Sequence, residues 1–268
     1  MKKTIYIAGC LAGVFALAAC SQEKEALPAA GEEVRLAVSG EATRTVTDFG
    51  TGVTRFAEGD AVMVWSEGLA PDMEGVKFTV GADGVLVQNA ADKEKYRYCG
   101  DEGGSFSACS PDGKAASDGV VEFTVKTDQS SEKGFIASDF MTAEASVSAA
   151  QTAPVALRFT HRTALIKVSP EGFYGKYESY MSGVSAAGVY TSLRWNRVEN
   201  SVSTVTDAEP APVIFLDAGD VFVAAVPEQE IPSGTKFLTV TTDDGRTFTY
   251  TPAENITLKA GEVFSLKF

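Results

Sequence analysis

The chain has 268 residues, is 44% apolar and carries a formal charge of −13. The apolar content is ordinary for a folded protein with a real core and argues against a disordered chain. The acidic balance repels phosphate groups and argues against nucleic acid as a partner.

The N-terminal residues follow the pattern of a bacterial lipoprotein signal peptide. A short cationic segment precedes an uncharged run of 15 residues, Ile5 to Ala19. A helix needs about 20 residues to cross a membrane, so residues 1–19 are expected to be cleaved as a signal peptide. Leu17-Ala18-Ala19-Cys20 resembles the lipobox, in which the cysteine is acylated. The sequence thus predicts a lipid on Cys20, a polar tether over residues 20–32 and attachment to the outer membrane or cell surface. The alternative is a plain secretory signal with a chance cysteine.

The body of the chain is predicted to be all-β. Period-two or continuous β-branched runs alternate with turn residues, which is typical of sandwiches. Four Asp-Gly pairs, at 83–84, 112–113, 118–119 and 244–245, are predicted hairpin turns. The predicted strands are Val34–Val38, Ala61–Trp65, Val76–Val80, Val120–Val125, Val155–Phe159, Ala164–Val168, Val221–Val226, Phe237–Thr242 and Val263–Phe268.

The chain is predicted to form two domains. The strand-poor stretch Ala143–Ala153 divides it into halves of sandwich size, which gives domains over residues 33–154 and 155–268. The only helix-like window is Ser138–Gln151, and it is too polar to cover a sheet.

With Cys10 in the predicted signal peptide and Cys20 predicted to be acylated, two cysteines remain, Cys99 and Cys109. They flank a Gly-rich segment that is predicted to be a hairpin turn, which would set their Cα atoms about 13 Å apart. A disulfide requires less than roughly 7 Å. The pattern favours two thiols, although export permits a bridge.

Several blocks, taken in order, are similar to the fimbrillin-like (Mfa-like) lipoproteins of the Bacteroidetes, relatives of type V fimbrial subunits. The most specific block is Phe159-Thr160-His161-Arg162 with the apolar strand that follows it. The blocks are Ala42–Thr45, Phe56–Trp65, Phe106–Pro111, Ser138–Met141, Leu157–Val168 and Ala260–Leu266.

The resemblance implies two tandem transthyretin-like Greek-key β-sandwiches, export as a lipoprotein and a role as a fimbrial (pilus) subunit in surface adhesion. It also implies that a protease releases the N-terminal strand after an arginine, and that a strand of another subunit fills the opened groove. Arg44 is the matching position, with Arg35 and Arg55 as fallback sites. The alternative is that Arg44 is an exposed residue in a polar linker.

No catalytic site, cofactor or metal site is predicted. His161 is the single histidine and lies within an apolar strand pattern, so it is interpreted as a packed, hydrogen-bonded structural residue. Ser130 and Lys133 match the S-x-x-K spacing, but they are predicted to lie in a polar connection rather than on a helix.

The competing hypothesis is a surface lipoprotein that binds a glycan or host ligand. Trp195, beside Arg194 and Asn196, could contact such a ligand, whereas Trp65 is predicted to pack in the core. An exposed pair of aromatic rings would favour sugar binding. A groove closed by Val34–Val38 would favour assembly with other subunits.

The last predicted strand, Val263–Phe268, is expected to close the second domain. A strand packed within its own sandwich leaves the subunit able to accept a strand but with none to donate, which suits a tip or accessory position. The alternative is that this strand swings out as the donor.

Overall fold

The computed structural model describes residues 33–39, 56–67, 75–88, 96–97, 102–115 and 119–268. These residues form a predominantly β protein, as predicted, and also contain two short helices that were not predicted. The strands of the first part are β1 (Leu36–Val38), β2 (Ala61–Glu67), β3 (Val76–Val80), β4 (Leu86–Gln88), β5 (Gly104–Ser110), β6 (Lys114–Ala115), β7 (Val120–Thr124), β8 (Met141–Val147) and β9 (Val155–His161).

Helix α1 (Glu132–Ile136) separates β7 from β8, and helix α2 (Phe173–Tyr177) separates β10 from β11. The remaining strands are β10 (Thr163–Ser169), β11 (Met181–Val189), β12 (Ser192–Asn196), β13 (Ser201–Thr204), β14 (Ala211–Ile214), β15 (Leu216–Asp217), β16 (Phe222–Pro227), β17 (Gln229–Ile231), β18 (Leu238–Thr242), β19 (Thr247–Tyr250), β20 (Ile256–Leu258) and β21 (Val263–Lys267). Each of the nine predicted strand segments overlaps one of these strands.

The first sheet has seven strands in the order β1-β9-β8-β5-β2-β3-β4. Its strands alternate in burial, and the inward side chains form one apolar core, as the alternation in β3 illustrates. The second part of the chain contributes two four-stranded sheets, β15-β16-β10-β21 and β14-β11-β18-β19, whose inward side chains share another core.

A further four-stranded sheet joins the two parts of the chain. It is called the third sheet, counted after the first sheet and the paired sheets of the second part. Its order is β13-β12-β7-β6, so β12 pairs with β7 although about 70 residues separate them in sequence. Trp195 of β12 packs against Trp65 and Phe140 beneath this sheet, with ring centroids 5.9 and 6.3 Å apart. Through this strand pairing and the packing of Trp195, the β12–β13 hairpin connects the second part of the chain to the first sheet.

The predicted boundary at residue 155 differs from the strand pairing. Val155–His161 is β9, which pairs with β8 and β1 inside the first sheet. The chain passes to the second core only at β10, after Arg162. The stretch Ala143–Ala153 therefore lies within the first sheet. Its first residues belong to β8, and the remainder connects β8 to β9.

Two local predictions were wrong. The helix-like window Ser138–Gln151 contains strand β8, because Met141–Val147 lies between β5 and β9 and pairs with both. Strand β5, which carries Cys109, is paired with β2 on one side and with β8 on the other, so it has no free edge for the hairpin predicted around Cys99 and Cys109. Cys109 is buried on β5, and Cys99 lies outside the described residues, so the state of this pair stays a prediction.

A buried glutamine in the segment between β7 and α1 forms hydrogen bonds to the second part of the chain. Gln129 is fully buried, and its amide accepts from the Ala225 N–H at 2.9 Å and donates to the Ala225 carbonyl at 2.8 Å. The side chain thus acts as a neighbouring strand for β16. Nearby, Phe135 of α1 packs against Val223 and Ala225 on the same strand.

We expect Gln129→Leu to lower the free energy of unfolding by about 2–4 kcal/mol, because both buried polar groups of Ala225 lose their partner. Urea denaturation of the chain measures this change. The matched variant Gln151→Leu removes a glutamine whose hydrogen bond to the Ala153 carbonyl is exposed, and it should change the stability by less than about 0.5 kcal/mol. Equal effects of the two substitutions would contradict this role of Gln129.

Candidate functional site

The N-terminal strand β1 occupies a slot that is lined by backbone on both sides. On one side it runs parallel to β9, with Leu36 opposite Val155 and Val38 opposite Leu157. The Val155 N–H donates to the Arg35 carbonyl at 2.8 Å, and the Ser39 N–H donates to the Leu157 carbonyl at 2.9 Å. These bonds fix the register of the strand.

On its other side β1 contacts the far end of the same sheet. The Val38 N–H donates to the Gly84 carbonyl at 3.0 Å, and the Val34 N–H donates to the Tyr96 carbonyl at 2.8 Å. Isolated bridges join Ala37 to Val85 and Glu33 to Arg97. The strand therefore closes the sheet between β9 and the segment before β4.

The side chains of this strand complete the first core. Val34 and Leu36 are 5% and 1% exposed, whereas Arg35 between them is exposed. Val38 packs against the same core. Removal of β1 would therefore leave two unpaired sheet edges and an apolar groove, which is the arrangement that a donated strand fills.

The predicted processing and lipidation positions lie outside the described residues. These are Cys20, Arg44 and Arg55, while residues 33–39 immediately precede the gap that contains Arg44. Arg35 is described, and its carbonyl is bonded within the β1–β9 pair. Cleavage after Arg35 would therefore separate Val34 from β1 and leave β1 attached to the rest of the chain, whereas cleavage after Arg44 would separate the whole of β1 from it.

The last strand, β21, lies at the edge of its sheet and runs parallel to β10. Phe264, Leu266 and Phe268 turn toward the second core and are partly buried, whereas Val263 is 47% exposed. The Phe264 ring lies 6.2 Å from that of Phe237, and the Phe268 ring 6.1 Å from that of Tyr250. The strand thus belongs to its own sheet.

The block around His161 forms the junction between the two cores. Nδ1 of His161 lies 2.8 Å from Oδ1 of Asp139, and the Thr163 hydroxyl donates to the same oxygen at 3.2 Å. Asp139 is 5% exposed. Its buried carboxyl oxygen therefore contacts His161 at the end of β9 and Thr163 at the start of β10. This geometry agrees with the structural role predicted for His161.

Arg162 extends this junction to the third sheet. Its backbone N–H donates to the Phe140 carbonyl at 2.7 Å, and its guanidinium donates to Thr142 and Asn200 at 2.7 and 2.6 Å. Burial lowers the pKa of Arg162, and the nearby Glu144 carboxylate opposes this effect. The residue was not singled out from the sequence, although it lies inside the most specific of the resemblance blocks.

The prediction that Trp195 contacts a ligand is wrong. Its side chain is fully buried and meets Trp65 edge to face beneath the third sheet, and Trp65 itself is 3% exposed. Trp65 packs as predicted. The two rings form a core contact between sheets rather than an exposed pair.

The family comparison agrees with this architecture. The pattern of the fimbrillin-like family matches residues 43–268. The chain belongs to the fimbrillin-like family. This confirms the resemblance seen in the sequence, and the family is one of fimbrial proteins rather than enzymes. No curated protein matches the sequence.

Solved structures share the fold at low sequence identity. A proposed cell adhesion protein of Bacteroides uniformis is 18% identical, with a TM-score of 0.64 over 88% of this chain and 92% of that one. One from Bacteroides ovatus is 16% identical, with a TM-score of 0.63 over 89% and 93%. One from Bacteroides thetaiotaomicron is 16% identical, with a TM-score of 0.55 over 88% and 92%. At these identities the similarity establishes the fold alone.

The other candidate sites of this fimbrillin-like chain have no catalytic arrangement in the described part. Ser130 donates to Asp128 at 2.6 Å, and Ser131 caps α1, in which Lys133 lies. The S-x-x-K stretch is therefore a capped helix rather than the predicted polar connection. Across the described ranges, no cluster of His, Cys, Asp and Glu could hold a metal ion, and no helix is long and apolar enough to cross a membrane.

Proposed function

We propose that this chain is a fimbrial subunit that is exported as a lipoprotein and is anchored through Cys20 before cleavage. After cleavage releases the segment that carries both Cys20 and β1, it accepts a strand of another subunit in the slot of β1. The observation that carries the proposal is the slot itself, in which a terminal strand closes a sheet between two edges and fills a core. Membership of the fimbrillin-like family supports it. Two tandem transthyretin-like domains, joined at Arg162 between β9 and β10, and a role in surface adhesion are parts of the same proposal.

In this mechanism, cleavage after Arg44 separates β1 from the rest of the chain while the strand remains whole. Among the described residues, it is then held by backbone hydrogen bonds, by the buried side chains of Val34 and Leu36 and by the partly buried side chain of Val38. A longer or more apolar donor strand displaces it by forming the same bonds and filling the same groove. Arg44 thus controls whether the slot is available.

The test is uptake of a strand peptide after cleavage. We expect an arginine-specific protease to release the segment before Arg44 and the trimmed chain to bind a fluorescent peptide that covers residues 31–43, as read by anisotropy. The Arg44→Ala chain should resist release and take up no peptide. Uptake that is the same before and after cleavage, or release that requires unfolding of the first sheet, would refute the proposal.

The peptide sequence provides the matched control. A Leu36→Asp peptide should bind at least a hundredfold more weakly, because it places a carboxylate in a site where Leu36 is 1% exposed. An Arg35→Ala peptide changes an exposed side chain of the same strand and should bind like the native peptide. Equal loss with both peptides would show that binding does not use this groove.

Lipid attachment is tested separately. We expect Cys20→Ala to move the protein from the membrane fraction to the soluble fraction, because the proposed anchor is the acyl group on this residue. Fractionation of cells that express each form, followed by immunoblotting, measures the partition. Cys109→Ala is the control, since Cys109 is buried on β5. A Cys20→Ala protein that stays with the membrane would contradict lipidation at this residue.

A further inference from the structure

A polar cleft lies on the outer face of the first sheet, away from the β1 slot. It has a volume of about 450 Å³, within the range of roughly 300–1,000 Å³ that is usual for small-molecule sites. Its floor comes from β2, β5 and β8, which are consecutive in the sheet, and its wall comes from the turn between β12 and β13. The third sheet covers the neighbouring part of the same face and ends at this point.

The register of the three strands places the floor residues in two rows. One row contains Trp65, Ser107 and Glu144, and the next contains Glu67, Ser105 and Ser146. The two glutamates therefore lie at opposite corners, with their Cα atoms about 12 Å apart, given strand spacing of about 4.8 Å and a rise of about 3.4 Å per residue. Serine hydroxyls lie between them.

Arg197 forms the wall above the corner of the floor that Trp65 occupies. Its guanidinium lies 4.7 Å from the centre of the Trp65 ring, and Nη1 is 3.5 Å from the Ser107 hydroxyl. Burial lowers the pKa of Arg197, and the Glu67 carboxylate opposes that effect. The turn that carries Arg197 is held by the bond from its N–H to the Gly119 carbonyl and by the bond of Arg162 to Asn200.

The polar groups of the cleft are largely uncommitted. Among the described residues, neither carboxylate forms a hydrogen bond or ion pair, and the Ser105 and Ser146 hydroxyls likewise have no partner within the fold. The guanidinium of Arg197 has five N–H donors. Among the described residues, the side-chain acceptor that it contacts is the Ser107 hydroxyl. The wall and the sheet are fixed, so these groups are preorganised around the cleft.

The mixture of charges selects the chemistry of the ligand. An anion would be repelled by Glu67 and Glu144. A cation would be repelled by Arg197 in the wall and by Arg162, which lies outside the lining and interacts electrostatically with Glu144. A hydroxyl both donates and accepts, so it can donate to the carboxylates, accept from the guanidinium and do either with the serines. We propose that this cleft binds a neutral carbohydrate, with Glu67, Glu144 and Arg197 as the principal contacts.

The site is tested with an array of defined neutral oligosaccharides, followed by calorimetric titration with the oligosaccharide that binds best. The native chain should bind at least one of them, and the double variant Glu67→Gln with Glu144→Gln should bind it at least tenfold more weakly, since hydrogen bonds to carboxylates are the stronger ones. Glu122→Gln changes an exposed glutamate of the third sheet and should bind like the native chain.

Three outcomes would overturn the proposal. They are binding of no neutral oligosaccharide, equal binding by the native chain and the double variant, and binding of the cationic probe spermidine in place of the sugars. The test uses the chain before any cleavage at Arg44, so its result is independent of strand uptake in the β1 slot.

Discussion

A disulfide between residues 37 and 156 is expected to abolish uptake of the strand peptide, even after complete cleavage at Arg44. Ala37 and Ala156 are register partners in the parallel β1–β9 pair, so their side chains lie on the same face of the sheet. Neighbouring strands are about 4.8 Å apart, which is within the Cα separation that a disulfide spans. The double variant Ala37→Cys with Ala156→Cys therefore locks β1 in the slot.

Reduction provides the control within the same molecule. Dithiothreitol should restore peptide uptake to the level of the trimmed native chain, and the single variant Ala37→Cys should bind the peptide with or without reductant. Peptide mapping confirms that the bond joins the two introduced cysteines rather than Cys99 or Cys109. Uptake by the oxidised, trimmed double variant would show that a donor strand enters elsewhere, and the β1 slot would be abandoned as the acceptor.

The strands were predictable because their residues alternate on a simple rule. In β3 the pattern of Val76, Phe78 and Val80 inward with Lys77 and Thr79 outward follows the two-residue period of a sheet with one buried face. β16 is buried on both faces and is a continuous apolar run from Phe222 to Val226. Such local signals survive in a single sequence.

Pairing between distant strands could not be predicted in the same way. Nothing in Ser192–Asn196 specifies Val120–Thr124 as its partner, yet this pairing buries Trp195 and removes it from any ligand. The same reason explains the error at Met141–Val147, where a polar, helix-compatible segment forms β8 because strands on both sides complete its hydrogen bonds. Tertiary partners decided both cases.

The two candidate sites differ in how far the sequence pointed to them. The β1 slot follows from the alternation of Val34, Leu36 and Val38 ahead of Arg44, together with the family resemblance. The polar cleft has no motif, because Glu67, Ser107, Glu144 and Arg197 come from four separate segments. In the sequence alone, isolated glutamates and serines within strands are interpreted as solvent-exposed positions. Only the register between the strands shows that these residues line one cleft.

Deletion of residues 263–268 is expected to destabilise the second part of the chain. We do not expect it to leave a stable fold that has lost only its ability to assemble. It removes β21, and with it the partly buried side chains of Phe264, Leu266 and Phe268 and the ladder to β10. The loss should be about 3 kcal/mol or more, which is a large part of the stability of an ordinary domain. Thermal unfolding followed by circular dichroism measures this loss.

The same deletion decides between an accessory subunit and one that donates its own C-terminal strand. If β21 serves only its own sheet, the deleted chain loses stability, while trimmed native chains remain monomeric at concentrations where they bind the strand peptide. Lys267→Ala is the control, because it removes only the exposed ion pair with Glu171 and should change the stability by less than about 0.5 kcal/mol. The contrary result is a trimmed native chain that polymerises and a deleted chain that keeps its fold but no longer does so. That result would identify β21 as the donor strand, because the groove could then be filled only from a neighbour's C-terminus.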